Sequence, residues 1–229
     1  MLDYSEIRNV VKKTYDIIAD QFDPTIYPDH VSSREIVAID RFISMLPDDT
    51  TIIDFGCGAG KHGRYCAEKG ANRGFQVCGV DISNKMIEKA RECNNNNKYA
   101  KIEYLQVEDM CNFKYIKKFG AAISAYSLIH LNKEQAVIAL NSFKQHLNND
   151  AYLFLTVYKG KRDGFQKEEL APDYEMYYRD YSSEEFRTIV LDSGYSIIEE
   201  YEWNDEDPIT GGDPECDAGV LCIIAKYVE

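Results

Sequence analysis

Three glycines at alternating positions follow a short apolar run. The segment from Thr51 to Gly60 reads TIIDFGCGAG, so Gly56, Gly58 and Gly60 come directly after the run TIIDF. Glycine is needed where the backbone turns tightly and lets a ligand approach its N–H groups. The segment therefore predicts a ligand site at a strand-to-helix turn. The alternative is a tight turn that binds nothing.

The spacing of these glycines and the charge before them narrow the choice of ligand. A dinucleotide fingerprint is GxGxxG, but here the third glycine is Gly60 and the next residue is Lys61, which gives GxGxG. Asp54 lies within the run that precedes the turn. A carboxylate there would repel a pyrophosphate and suit a cationic ligand, so a dinucleotide is disfavoured.

Two further acids end the next two predicted strands. Asp81 closes the first in VCGVDIS, and Asp109 closes the second in LQVEDM. Carboxylates accept hydrogen bonds, so Asp81 suits ribose hydroxyls and Asp109 suits an adenine amino group. Either acid alone could equally cap a helix. Together with Asp54 and the GxGxG turn, the two acids predict a nucleoside site at the ends of neighbouring strands.

His130 is the candidate general base. It follows the fourth predicted strand in SLIH, and imidazole exchanges its proton near neutral pH. The alternative is a structural histidine that packs under the next helix. His30, His62 and His146 lack this placement. No HExxH motif or carboxylate cluster is present, so no metal site is predicted.

Alternation of strands and helices must position these residues. Apolar runs predict five strands, and the stretches between them predict helices, with a short uncertain one at 112–118. The predicted strands are Thr51–Phe55, Phe75–Ile82, Ile102–Val107, Ala121–Ala125 and Ala151–Tyr158, and the longer helices are Lys61–Ala71, Asn84–Cys93 and Lys133–Leu147. This order is typical of an α/β protein with a parallel, Rossmann-like sheet and helices on both faces.

The two ends of the chain depart from this alternation. Up to about Met45 the pattern is helical, and Ser32 with Glu35 forms a capping box. After a helix that opens at Ser182, the runs YSIIEEYEW and AGVLCIIAKYV follow without a helix between them, so they predict an antiparallel hairpin that completes a seven-stranded, mostly parallel sheet. We interpret residues 1–229 as one domain, with a helical cap at 1–48, a ligand-binding core at 49–229 and a lid insertion at 159–181.

Composition excludes several classes of protein. The 229 residues are 45% hydrophobic, enough for a substantial core, and the net charge of −13 opposes binding to nucleic acid or anionic membranes. The seven cysteines form no CxxC pair, and the N-terminal segment lacks an apolar leader core. These features favour a cytoplasmic protein with free thiols.

The motifs DFGCGAG, GVDIS, VEDM and ISAYSLIHL resemble the successive motifs of class I S-adenosylmethionine-dependent methyltransferases. The resemblance runs from about Tyr15 to the C-terminus and is nearest to the small-molecule branch that includes ubiquinone and menaquinone biosynthesis enzymes. It implies S-adenosylmethionine as cofactor, S-adenosylhomocysteine as product, and direct displacement of the activated methyl group by a small-molecule acceptor. A general base is needed only for some acceptors, such as a phenol or a protonated amine.

The resemblance also implies roles for individual residues. Gly56, Cys57 and Gly58 would border the methionine and ribose parts of the cofactor, with Gly60 completing the turn. Asp81 would hold the ribose, Asp109 would accept from adenine, Ile82 and Met110 would sandwich adenine, and the backbone near Ala125 and Tyr126 would meet the methionyl group. The segment YDIIADQFD, with Tyr15 and Phe22, is similar to the family's cap, which together with Tyr27 would fold over the same edge of the sheet.

Two segments could select the acceptor. Lys159 to Tyr181 is rich in tyrosine, including Tyr177 and Tyr178, and predicts either an aromatic-lined lid or a surface helix. From Glu199 to Asp217 there are nine acids and no Lys or Arg. This run is either a solvated loop or a feature of the substrate entrance that favours cationic or neutral acceptors.

Two other functions stay open at this point. An NAD-dependent oxidoreductase would use Asp81, which lies 21 residues after Gly60, but Lys61 and Asp54 oppose it. A binding module could instead hold the cofactor without catalysis and act through a protein partner. The oligomeric state, monomer or homodimer, is also open.

Overall fold

The computed structural model describes residues 3–22, 31–95, 101–107, 109–204 and 219–228. The chain begins with two helices, α1 (Tyr4–Ile18) and α2 (Ser33–Met45). Asp3 caps α1, because its carboxylate accepts from the Ser5 N–H. Ser32 and Glu35 cap α2 reciprocally, which confirms the predicted capping box.

Strands and helices then alternate as the sequence predicts. In chain order they are β1 (Thr51–Phe55), α3 (Lys61–Lys69), β2 (Gln76–Asp81), α4 (Asn84–Asn94), β3 (Lys101–Gln106), β4 (Phe119–Ala125), α5 (Lys133–Lys144) and β5 (Leu147–Lys159). The remainder comprises β6 (Asp163–Glu168), β7 (Ala171–Arg179), α6 (Ser183–Asp192), β8 (Tyr195–Asn204) and β9 (Gly219–Tyr227).

Seven of the described strands form one sheet in the order β3-β2-β1-β4-β5-β9-β8. β1 to β5 are mutually parallel, whereas β9 is antiparallel to both β5 and β8. The predicted fold class is therefore confirmed. Because β8 runs in the direction of β5, the carboxyl ends of six strands share one edge of the sheet, which we call the carboxyl edge.

Helices cover both faces of the sheet. Ile53, Phe55 and Leu153 share a buried core with residues of α5 and α6. Ile52 and Phe154 point to the other face and share a second core with α2 and α3. Adjacent strand residues thus serve opposite cores, as the two-residue period of a strand requires.

One predicted local feature is wrong, and the alternative of a surface helix at 159–181 is excluded. The short helix expected at 112–118 is instead a single 3₁₀ turn, Met110–Asn112, because Phe113 leaves the turn to pack edge-on against Phe55. The segment 159–181 holds no helix. It forms the two-stranded sheet β6–β7, whose residues Met176 and Tyr177 pack in a common core with Ile7 and Val11 of α1.

Candidate active site

The GxGxG turn requires glycine and leaves open space beside it. Gly58 and Gly60 have φ values of 52° and 82°, a region that side chains disfavour. A Cβ on Gly60 would lie 2.5 Å from the Tyr104 hydroxyl oxygen, whereas a Cβ on Gly58 would meet nothing within 4 Å. The N–H groups of Gly56 and Cys57 both donate to the Val80 carbonyl oxygen, so the turn is fixed to β2 next to Asp81.

Asp81 places a buried carboxylate beside this open space. Its Oδ2 accepts from the Gly58 N–H at 2.8 Å, and its Oδ1 accepts from the Ser83 N–H at 2.8 Å. Burial raises the pKa of Asp81 to about 6, although both hydrogen bonds oppose the rise. A carboxylate oxygen can accept more than one hydrogen bond, so each oxygen retains capacity for a ligand hydroxyl.

Asp54 adds a second buried carboxylate below the turn. Its Oδ2 accepts from the Gly63 N–H at 3.1 Å. Burial, helped by the charge of Asp81, raises the pKa of Asp54 to about 7, while Arg64 opposes the rise. Two carboxylates removed from water so close together favour a ligand that brings positive charge.

The third predicted acid, Asp109, is engaged by α1. Its Oδ1 accepts from the Tyr4 hydroxyl at 2.6 Å and from the Cys111 N–H at 2.7 Å, and Arg8 lies 3.6 Å from Oδ2. Met110 reaches the turn, because its Cε lies 3.5 Å from the position of a Cβ on Gly56. The half-buried Ile82 follows Asp81 directly.

α1 crosses the carboxyl edge and is bonded to it at several points. Besides the Tyr4 contact, Asp16 Oδ1 accepts from the Ser83 hydroxyl at 2.6 Å, and the Tyr15 hydroxyl lies 2.7 Å from His130 Nε2. The ring of Phe22 lies 6.4 Å from that of Tyr15. The predicted cap therefore includes Tyr15 and Phe22, whereas Tyr27 lies outside the described residues.

His130 has both ring nitrogens engaged within the chain. Nδ1 lies 2.8 Å from the Tyr177 carbonyl oxygen, which can only accept, so Nδ1 carries the hydrogen. Nε2 is then the acceptor, and the Tyr15 hydroxyl donates to it. Burial lowers the pKa of His130 to about 4, which keeps the imidazole neutral at pH 7. The hydroxyl of Tyr15 therefore lies at the end of a fixed chain of hydrogen bonds.

Aromatic rings continue from His130 along the carboxyl edge. The ring centroid of Tyr178 lies 5.3 Å from that of His130, and Tyr158 lies 5.1 Å from Tyr126. Between Tyr178 and Tyr158 stands the guanidinium of Arg162, 4.8 Å and 5.2 Å from their rings. We call these rings, with that of Tyr15, the aromatic arc.

The tyrosines of the predicted lid have different roles. The half-buried Tyr178 joins the aromatic arc, and its hydroxyl donates to Glu168 at 2.7 Å. Tyr177 is 1% exposed, and its hydroxyl donates to Asp163 on the neighbouring strand. Tyr178 therefore contributes its ring to the site, whereas Tyr177 contributes only its backbone carbonyl group, which contacts His130.

The residues after β4 border the GxGxG turn. Tyr126, next to the strand-ending Ala125, has a φ of 55°, and its N–H donates to the Thr156 carbonyl oxygen at 3.0 Å. A Cβ on Gly56 would collide with the side chain of Ser127. A tyrosine in the left-handed region is strained, and strain of this kind concentrates at functional sites.

A buried acid–histidine pair beside Tyr126 was missed by the sequence reasoning. His62 Nε2 lies 3.1 Å from Glu35 Oε1, and the two residues are 7% and 4% exposed. The ring centroid of His62 lies 6.3 Å from that of Tyr126. The sequence did offer one signal for His62, namely its position two residues after Gly60, the last glycine of the turn.

The acidic run could be placed only in part. Asp205, Glu206, Asp207, Asp213, Glu215 and Asp217 lie outside the described residues. Of the two strand ends that flank them, Gly219 of β9 pairs with Lys159 at the end of β5, and Asn204 of β8 pairs with Gly219. Within the described ranges, no group of three potential metal ligands occurs, and no helix is long and apolar enough to cross a membrane.

Comparison with known proteins finds one family model and two relatives that part of this chain resembles. Residues 52–150 match the family model described as a methyltransferase domain. A tRNA (carboxymethyluridine(34)-5-O)-methyltransferase of Arabidopsis thaliana is 27% identical over 68% of this chain, and an N-demethylindolmycin N-methyltransferase of Streptomyces griseus is 30% identical over 49%. These matches span only 34% and 44% of the two relatives.

A solved structure has a similar fold. Magnesium protoporphyrin IX methyltransferase from Synechocystis, solved with bound S-adenosylhomocysteine, has a TM-score of 0.68 at 16% identity over 96% of this chain and 99% of that one. The domain match, which covers less than half of the chain, and the shared fold make the chain similar to class I S-adenosylmethionine-dependent methyltransferases. The cofactor of this family is S-adenosylmethionine. The narrower likeness to ubiquinone and menaquinone enzymes stays a prediction.

Proposed function

We propose that the protein transfers a methyl group from S-adenosylmethionine to a small-molecule acceptor. The observation that carries the proposal is the buried Asp81 carboxylate fixed to the Gly58 N–H at 2.8 Å, next to space that a Cβ on Gly58 would enter without contact. Such a cradle fits a nucleoside whose ribose hydroxyls donate to Asp81. The carboxylate of Asp54 behind it suits the positive charge that this cofactor carries.

The other cofactor contacts in this proposal follow the geometry of the turn. Gly56, Cys57 and Gly58 border the ribose and methionine parts, and Gly60 shapes the turn. Ile82 and Met110 border adenine, Ala125 and Tyr126 lie at the methionyl end, and Asp109 meets adenine at an oxygen that Tyr4 also contacts. When bound, the cofactor supplies a sulfonium methyl carbon, and the electron pair of the broken carbon–sulfur bond remains on sulfur as the acceptor's lone pair bonds to that carbon.

The residues around the carboxyl edge would bind the acceptor and exclude water from it. α1 and the β6–β7 sheet stand over this edge and pack on each other. The aromatic arc lines the enclosed side, and Tyr15, Phe22 and Tyr178 are the proposed acceptor contacts, with Tyr27 retained from the sequence prediction. A covered, aromatic site favours a planar small molecule over a macromolecule.

His130 would act through Tyr15 in this scheme. Its Nε2 accepts from the Tyr15 hydroxyl, so it orients that phenol toward the acceptor rather than touching the acceptor itself. The net charge of −13 and the acidic run from Glu199 to Asp217 support a neutral or cationic acceptor over an anionic one or nucleic acid.

Calorimetry and a methyl-transfer assay test the proposal together. We expect S-adenosylhomocysteine to bind the wild-type protein. Asp81→Asn should weaken this binding by at least about tenfold, because the asparagine amide has only one oxygen that accepts hydrogen bonds, whereas the carboxylate has two. Methyl-labelled cofactor is then offered with phenols, amines, carboxylic acids and tRNA. Label transfer to tRNA alone would overturn the small-molecule acceptor, and absence of any cofactor binding would overturn the whole proposal.

A further inference from the structure

Glu35 and His62 form a buried hydrogen-bonded pair that neither the cofactor cradle nor the Tyr15–His130 pair uses. Glu35 lies in the first turn of α2, and His62 lies in the first turn of α3. Ser32 already satisfies the capping function of Glu35, since its hydroxyl donates to Oε2 at 2.8 Å. The other carboxylate oxygen, Oε1, is directed at the imidazole. A capping box alone does not require this burial or this second partner.

The hydrogen bond fixes the tautomer of His62. Burial opposes ionisation of Glu35, but the hydrogen bonds from His62 and Ser32 and the charge of Lys61 oppose the effect of burial, and the pKa of Glu35 is lowered to about 2. An ionised carboxylate only accepts, so Nε2 of His62 carries the hydrogen. Burial lowers the pKa of His62, so the ring is neutral at pH 7 and Nδ1 is its basic nitrogen.

The two histidines near the carboxyl edge therefore differ in chemical capacity. The basic nitrogen of His130 is occupied by the Tyr15 hydroxyl, and its orienting partner is a neutral carbonyl group. The orienting partner of His62 is a carboxylate, which stabilises the imidazolium that forms when the ring takes a proton. Of the two, His62 is the stronger candidate for a general base.

His62 also stands at the right place for this task. It follows the last glycine of the turn by two residues, and its ring neighbours that of Tyr126, the strained residue after β4. β4 and the GxGxG turn are adjacent, because Ile52, Ile53 and Asp54 of β1 pair with β4. The methionyl end of the cofactor is proposed to lie between these two segments.

We propose that His62, positioned by Glu35, is the general base that removes the proton of an O–H or N–H acceptor. The inference rests on the proposed methyl transfer and adds a residue to it. The acceptor loses one proton as its lone pair is used, and Nδ1 of His62 gains that proton. Glu35 stabilises the resulting imidazolium, which returns the proton to water before the next turnover.

Several charged or titratable groups face this pair. They come from α3, the segment after β4, and β9, and are Lys61, Arg64, Tyr126 and Cys222. Lys61 and Arg64 lower the pKa of His62, and Glu35 raises it. Removing the charge of Glu35 must therefore lower the pKa of His62 further.

Nitrogen-15 NMR of the histidine rings tests the tautomer without an acceptor. In the full chain, with and without S-adenosylhomocysteine, we expect His62 to carry its hydrogen on Nε2, and Glu35→Gln to lower its pKa. His62→Gln identifies the resonance. A hydrogen on Nδ1, or a pKa that Glu35→Gln leaves unchanged, would overturn the inference. If the protein gives either of these results but still binds S-adenosylhomocysteine normally, the inference about His62 fails and the proposed function stands.

Kinetics with the acceptor found in the methyl-transfer assay supply the second arm. His62→Gln should lower kcat by at least about a hundredfold and leave S-adenosylhomocysteine affinity within about threefold, because general bases typically contribute that much to rate. Glu35→Gln should shift the acid limb of the kcat/KM profile to lower pH. A limb that does not move, or a His62→Gln enzyme with wild-type kcat, would reject the assignment.

His146→Gln is the matched control for losing a buried histidine. His146 is 5% exposed and hydrogen-bonded at both nitrogens, to Ser142 and Tyr115, and lies just before β5 at the opposite edge of the sheet. The His146→Gln variant should keep the wild-type kcat per folded molecule. An equal loss of kcat in both variants would mean that His62 has only a structural role.

Discussion

The buried carboxyl of Asp54 makes stability depend on pH in an unusual direction. Its pKa rises from the ordinary 3.8 to about 7 in the folded chain. A raised pKa means that the stabilising contribution is present below about pH 4 and is lost as the pH rises through about 7. The full shift corresponds to about 4 kcal/mol, of which about 3 kcal/mol falls between about pH 5 and about pH 8.

Asp54→Asn removes the charge and keeps a side-chain oxygen that can accept from the Gly63 N–H. We therefore expect the free energy of unfolding of this variant, relative to wild type, to increase by about 3 kcal/mol between about pH 5 and about pH 8. Urea denaturation followed by circular dichroism measures the difference at each pH. Titrations shared by both proteins, including those of the buried histidines, cancel in that difference.

The control replaces an exposed carboxyl, Asp192→Asn on α6, for which the difference should stay constant. A difference for Asp54→Asn that changes by less than about 1 kcal/mol over the same range would show that the carboxyl is ionised at little cost. The reasoning about two buried carboxylates below the turn would then be wrong.

Three further predictions concern the cradle and the cap. Gly58→Ala should still fold, with a free energy of unfolding lower by about 1 kcal/mol because of the φ of 52°, but should lose S-adenosylhomocysteine binding in calorimetry. The control Gly164→Ala on β6, where a Cβ also meets nothing within 4 Å, should keep that binding. Affinity for S-adenosylhomocysteine should increase by up to about tenfold between about pH 6 and about pH 8, because Asp54 ionises and attracts the ammonium group of the ligand. An affinity that is constant over this range would show that Asp54 does not interact with the ammonium group. Tyr15→Phe should lower the free energy of unfolding by about 1–3 kcal/mol, because His130 Nε2 loses its buried donor. The control Tyr65→Phe removes a half-buried hydroxyl that donates to Asp40 and should cost less, about 0.5 kcal/mol; equal losses would refute the role of the Tyr15–His130 hydrogen bond.

Much of the sheet could be predicted because its signals are local. The run TIIDF and the glycines after it define β1, the turn and the start of α3 at the predicted residues. The capping box of Ser32 and Glu35 depends on a four-residue pattern and is also as expected. Strand ends were less accurate: β2 is one residue shorter at each end than predicted, because the ends of a strand depend on pairing with its neighbours.

The remaining features depend on contacts between distant parts of the chain. The tyrosine-rich segment 159–181 pairs with itself as β6 and β7 and packs on α1, about 160 residues earlier, where Thr14 donates to the Glu175 carbonyl oxygen. The partner of His62 lies 27 residues away on another helix. No period or spacing in the sequence encodes such pairings, which is why Glu35 was interpreted only as a cap.

The position of β9 has a consequence for how the chain folds. It is the last described strand in sequence, yet it lies between β5 and β8 and is the only described link between them in the sheet. During synthesis β8 leaves the ribosome first but has no native partner strand until β9 follows. β1 to β5 can meanwhile assemble through nearer contacts, with the edge of β5 exposed. Completion of this sheet therefore waits for β9. Loss of β9 would both detach β8 and expose the edge of the interior strand β5.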